Sequence, residues 1–145
     1  MKIISGGQTG VDRGALDAAM ELGLPTDGYC PRGRKAEDGV IPDKYRMREM
    51  SSSDYRDRTR MNVLRGDATL ILYRGRVSGG TALTADLATS LGRRWLPIEI
   101  NLVVDREDLD FFLNGVTVLN VAGPRESKCP GIQEQAKKFL LGILF

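Results

Sequence analysis

Lys2-Ile3-Ile4-Ser5-Gly6-Gly7-Gln8-Thr9-Gly10-Val11-Asp12-Arg13-Gly14-Ala15 is the stretch that decides the fold. Lys2 to Ser5 is a short β-prone run that stops at Gly6-Gly7. Behind it Val11, Ala15, Ala18, Ala19 and Leu22 recur at helical spacing and make one apolar face. Thr9 with Asp12 three residues on has the form of a capping box, and Gly23 followed by Pro25 ends the helix. Strand, glycine turn and helix together open an α/β protein.

The alternation continues outward from there. Asp27 to Cys30 reads as a second short strand, and Pro31 to about Ser53 as a long ordered loop, a kind of segment often used for function. Tyr55, Thr59, Asn62 and Val63 predict a short helix closed by Gly66. Ala68 to Tyr73 is a nearly continuous apolar run, as expected of a strand covered on both faces. A helix with Leu83, Leu87, Ala88 and Leu91 on one face follows, then a strand at Leu96 to Ile100 that Pro97 weakens. Asp105 and Asp108 open a helix facing inward through Leu109, Phe112 and Leu113. Val116 to Val121 is the last strand, and Ile132, Ala136, Phe139, Leu140 and Ile143 face one side of a final helix. This order predicts one α/β domain over residues 1–145, a mostly parallel sheet with helices on both faces. The apolar tail Phe139 to Phe145 is expected to bury itself in its own core or against another subunit, which points to a homo-oligomer.

Composition narrows the chemistry. The 145 residues are 41% apolar and 28% charged, as in an ordinary globular domain, while 17 glycines are about twice the usual share. No apolar run approaches the roughly 18 residues of a membrane span, and the first residues are too short a run for a signal peptide, so a cytoplasmic protein is expected. Histidine is absent, which removes the commonest general base and zinc ligand. Cys30 and Cys129 have no metal-ligand spacing and read as structural thiols, so no protein-held metal is expected. Net charge is +2, yet residues 32 to 65 hold ten Lys/Arg against six Asp/Glu. A field of that size suits an anionic small molecule and is too weak to argue for nucleic acid.

In a parallel sheet the ligand sits beyond the carboxyl ends of the strands. Three loops leave such ends here: Gly6-Gly7-Gln8-Thr9-Gly10, Ser78-Gly79-Gly80-Thr81 and Gly123-Pro124-Arg125-Glu126-Ser127. Glycine lets backbone approach a ligand, and helix N-termini favour anions, so the three predict a phosphate site. Asp12 and Arg13 add polar groups that packing does not require. Arg32-Gly33-Arg34 in the long loop and Arg60 in the short helix are further candidates, since arginine forks match phosphate oxygens. The first loop is neither a P-loop nor a dinucleotide fingerprint.

Three blocks also carry a resemblance: Gly6 to Ala15, Gly28-Tyr29-Cys30-Pro31-Arg32-Gly33-Arg34-Lys35-Ala36-Glu37-Asp38-Gly39, and Ala122 to Ser127. Together they resemble the molybdenum (molybdenum cofactor) carrier family, over nearly the whole chain. That family lies in a wider superfamily with nucleotide sensors and the lonely-guy, or lysine-decarboxylase-like, phosphoribohydrolases. The resemblance implies a Rossmann-like three-layer sandwich and an oligomeric carrier that holds molybdopterin by its phosphate, with molybdoenzymes as recipients and no reaction of its own. By position it would seat the phosphate on Gly6 to Gly10 and Ser78 to Thr81, neutralised by Arg32, Arg34 and Arg125.

The phosphoribohydrolase relatives carry Pro-Gly-Gly-x-Gly-Thr-x-x-Glu, whereas this chain reads Ser78-Gly79-Gly80-Thr81-Ala82-Leu83-Thr84-Ala85-Asp86. The turn glycines remain and the catalytic glutamate does not, which favours binding over catalysis. A nucleotide sensor, or an enzyme acting on a nucleoside monophosphate through Asp12, Asp86 or Glu126, is the alternative.

Overall fold

The computed structural model describes residues 1–77 and 79–144; Ser78, one of the expected ligand-binding residues, and Phe145 lie outside them. The strands are β1 (Lys2–Ile4), β2 (Thr26–Asp27), β3 (Tyr29–Cys30), β4 (Lys35–Ala36), β5 (Gly39–Val40), β6 (Arg48–Glu49), β7 (Ala68–Tyr73), β8 (Arg94–Glu99) and β9 (Val118–Ala122). The helices are α1 (Val11–Glu21), α2 (Tyr55–Arg65), α3 (Gly79–Ser90), α4 (Arg106–Leu113) and α5 (Ile132–Ile143).

Five strands form one sheet in the order β2-β1-β9-β7-β8, every pair parallel. Counted cyclically from β7, that order becomes 2-1-3-4-5, the doubly wound arrangement of flavodoxin-like sheets, with the chain started at a different point. The expected Rossmann-like sandwich is therefore present. Its switch point, where successive connections leave in opposite directions, falls between β7 and β9.

Side-chain alternation divides the layers. Leu70 and Leu72 of β7 join Ile3, Leu119 and Val121 in a core closed by α1, α5 and Leu109 and Phe112 of α4. Helices α2 and α3 pack together on the other layer. The tail settles into this first core: Leu140 is fully buried, with Phe139, Leu141, Ile143 and Leu144 packed around it. Pro97 fits because β8 is an edge strand. Among the described residues no helix is long and apolar enough to cross a membrane.

Three expectations are corrected. Thr9 and Asp12 make no capping box: the N-cap is Gly10, with φ 83°, and no side chain caps the helix. A Cβ on Gly10 would stand 2.2 Å from the Pro124 carbonyl oxygen, so close packing of two loops fixes this start. The Asp27 to Cys30 strand is split at Gly28, leaving β2 in the main sheet while β3 pairs with β6 outside it. The long loop contains a 3-10 turn at Arg32–Arg34 and the antiparallel pair β4–β5, packed on its own small core of Leu16, Cys30, Ala36, Ile41 and Tyr45.

Candidate functional site

A crevice of about 480 Å³ opens at the switch point. Its floor is the carboxyl end of β9, and its walls come from the β1–α1 loop, α2, the segment after β7, the start of α3 and the β9–α5 loop.

Arg58 of α2 is the most deeply set of the cations that line the crevice, 8% exposed. Its Nη1 donates to the Gly6 carbonyl at 2.9 Å and lies 3.9 Å from Asp12 Oδ2. A Cβ on Gly6 would stand 2.3 Å from that nitrogen, so glycine is what lets the guanidinium lie against the loop. Burial drives Asp12 and Arg58 toward their neutral forms. The Asp12 carboxyl is pushed up to about 6, with Arg58, the Gln8 and Gly6 N–H groups and Arg13 pulling the other way. Burial likewise lowers the Arg58 guanidinium, against the opposing pull of Asp12. The ring of Tyr55 carries Arg58 on it at 5.2 Å and Arg125 at 5.4 Å.

The opposite wall is cationic without compensation. Arg74 is held by Gln135 Oε1 at 3.1 Å and the Pro130 carbonyl at 2.7 Å. Among the described residues neither Arg74, Arg76 nor Lys128 has a carboxylate within ion-pair distance. All three line the crevice beside Gly79, Gly80 and Thr81, the first turn of α3, whose N–H groups have no carbonyl partner within the helix. Apart from its chain neighbours and its own helix backbone, Gly80 has no atom of the described residues within 4 Å of where a Cβ would stand. Gln8, 6% exposed, completes the β1 side. Its Oε1 accepts from the Thr9 and Glu37 N–H groups at 3.1 and 2.9 Å, while its Nε2 is buried with no partner among the described residues.

Of the sequence-expected residues, the crevice brings together Gly6, Gln8, Asp12, Gly79, Gly80, Thr81 and Arg125. The others are placed differently. Gly7 turns toward Ile41 and Met47. Thr9 donates to Glu37 and accepts from the Glu126 N–H. Arg13 forms a bidentate pair with Asp38 at 2.6 and 2.8 Å. Arg32, Gly33 and Arg60 are exposed outside the lining. Arg34 donates to the carbonyls of Ile41, Pro42 and Tyr45, bracing the long loop. Glu126 caps α5 by accepting from the Gly131 and Gln133 N–H groups. Ser127 donates to Glu37, whose carboxyl burial raises but which these hydrogen bonds, with those from Thr9, hold below the ordinary value. Among Asp12, Asp86 and Glu126 only Asp12 lines the crevice.

Sequence reasoning missed Arg58, Arg74, Arg76 and Lys128. A signal existed for Arg58, since it falls three residues after Tyr55 and four before Asn62, on the helix face that those two share with Thr59. Arg74 and Arg76 follow directly on β7, at the strand end the switch-point rule selects.

The model of the circularly permutated YpsA SLOG family matches residues 3–144. The crystal structure of a "putative molybdenum carrier protein" from Syntrophus aciditrophicus SB is 41% identical, with TM-score 0.91, covering 99% of this chain and 94% of that one. An (E)-4-hydroxy-3-methyl-but-2-enyl diphosphate reductase is 14% identical with TM-score 0.44, covering 99% of this chain and 59% of that one, a likeness too slight to carry an argument. No curated protein sequence matches.

Proposed function

The chain belongs to the circularly permutated YpsA SLOG family, and on that premise we propose that it binds and carries a phosphate-bearing cofactor in the switch-point crevice, the molybdenum cofactor (molybdopterin) foremost. The observation that carries the reading is the wall of Arg74, Arg76 and Lys128 beside the α3 N-terminus, cations that no carboxylate among the described residues neutralises. Such a wall is unfavourable when empty and favourable around an anion.

Two further observations fit a bound group. The Gln8 side-chain amide N–H has no acceptor among the described residues, and a ligand acceptor there would relieve about 1–3 kcal/mol. Gly79 and Gly80 leave the first turn of α3 open toward the crevice, so a ligand's phosphate could approach its N–H groups closely. Arg74, Arg76, Arg125, Lys128 and the first turn of α3 would hold the phosphate. Any metal would arrive on the cofactor. The 41% identical protein's description as a molybdenum carrier supports this choice of ligand. Release to molybdoenzymes, self-association and a cytoplasmic location belong to the same proposal.

A nucleotide is the second reading, supported by the doubly wound order, whose switch point accepts mononucleotides in general. The test is mass spectrometry of small molecules released on denaturing protein purified from a host that makes molybdenum cofactor. Oxidised pterin products at about one per subunit are expected. A purine nucleotide in their place would transfer the site to the second reading, and no phosphate-bearing molecule at all would overturn both.

A further inference from the structure

The crevice is not uniformly cationic, and its two ends differ in kind. At the β7 side stand Arg74, Arg76 and the first turn of α3; at the β1 side stand Gln8 and the buried Asp12, balanced by Arg58 at 3.9 Å. The strands β1 and β7 are separated by β9 alone, which sets the two ends about 10 Å apart at normal strand spacing. The Asp12–Arg58 pair leaves the β1 end close to neutral, while the arginines that no carboxylate among the described residues balances attract a phosphate to the other.

Gln8 then faces whatever the phosphate is attached to. Its carboxamide cannot turn over at no cost, because two backbone N–H groups already donate to Oε1. The side it presents elsewhere is therefore a donor, Nε2, which is buried and has no acceptor among the described residues. Resting on the phosphate-site reading above, we infer that Gln8 is a specificity-determining residue. Its amine selects a phosphate-bearing ligand whose far end is a heterocycle with a carbonyl acceptor, an oxo-purine or oxo-pterin edge, over one that presents an amino group there. An amino group would set donor against donor in a buried site, and such mismatches discriminate strongly.

The test is calorimetric titration of the full chain with GMP, AMP and inorganic phosphate. The wild type is expected to bind GMP at least 10-fold more tightly than AMP. In Gln8→Glu, which keeps an acceptor for the Thr9 and Glu37 N–H groups, that preference should fall to under 3-fold, with phosphate affinity changed by less than 3-fold. Gln8→Met, checked for an unchanged melting profile, should lose the preference in the same way. Arg76→Ala should weaken GMP, AMP and phosphate alike. Equal affinities for the two nucleotides, a preference for AMP, or a preference that survives both Gln8 variants would overturn the inference. Phosphate binding with no nucleotide binding would also overturn it and leave the anion site standing. Binding of none of the three would remove the site reading itself.

Discussion

Two sets of arginines in this chain differ in sequence setting, and the fold places each contrary to its look. Arg32-Gly33-Arg34, set among glycines and a proline, has the look of a phosphate loop. In the fold Arg34 ties together three carbonyls of its own loop, and Arg32 is exposed beside it. Arg58, Arg74 and Arg76 lie in unremarkable surroundings, yet they line the crevice at the switch point. The difference teaches that an arginine's surroundings are set by its position: the end of a central strand or the inward face of a covering helix puts it on the crevice proposed above as the ligand site. A surface loop, however rich in glycine, supplies carbonyls that need donors.

Substitution can break this contrast, and the largest effect belongs to Arg58. Replacing it with alanine removes a buried donor from Gly6 and the counter-charge of Asp12, which should cost about 3 kcal/mol of stability by denaturant unfolding and abolish ligand binding. Arg34→Ala should cost about 2 kcal/mol, from hydrogen bonds to three carbonyls, with ligand affinity unchanged. Arg76→Ala should do the reverse, leaving unfolding within about 0.5 kcal/mol while weakening phosphate binding roughly 10- to 100-fold. Loss of binding in Arg34→Ala with no loss of stability would erase the distinction.

The last effect is one of pH. Asp12 has its value raised from 3.8 to about 6 in the folded chain, so between those values the folded state holds a proton that the unfolded state has released. Its contribution is therefore fully present below pH 3.8, declines as pH rises toward 6, and is flat above. The stability difference between wild type and Asp12→Asn should follow that curve. Glu37 and Asp38, both lowered, act with the opposite sign and cancel in the difference.

Much of the fold was legible because α/β alternation is written in local periodicity. The unbroken apolar run Ala68 to Tyr73 is the central strand β7, and Val11 to Leu22 marks α1 almost to the residue. Strand ends drifted by about two residues at β8 and β9, where pairing with neighbours, absent from local pattern, decides the limits. For the site, the glycines at strand ends located the crevice, because close approach of backbone demands them. The arginines did not follow, since a charged residue on an amphipathic helix reads as solvent-facing. Arg60 fits that reading, and Arg58, two residues away, is turned inward with its charge. Thr9, Arg13 and Glu126 were recognised as more than packing residues. Their partners Glu37, Asp38 and the α5 N-terminus are 28, 25 and about 5 residues away, and only the folded chain brings the distant ones near.

The central claim is that the ligand lies in the switch-point crevice and not on the conspicuous basic loop. The most direct test is a crystal structure of the chain grown with GMP. Density for a phosphate against Arg74, Arg76 and the first turn of α3 is the result expected. A phosphate bound at Arg32 and Arg34, with the crevice empty, would contradict the account.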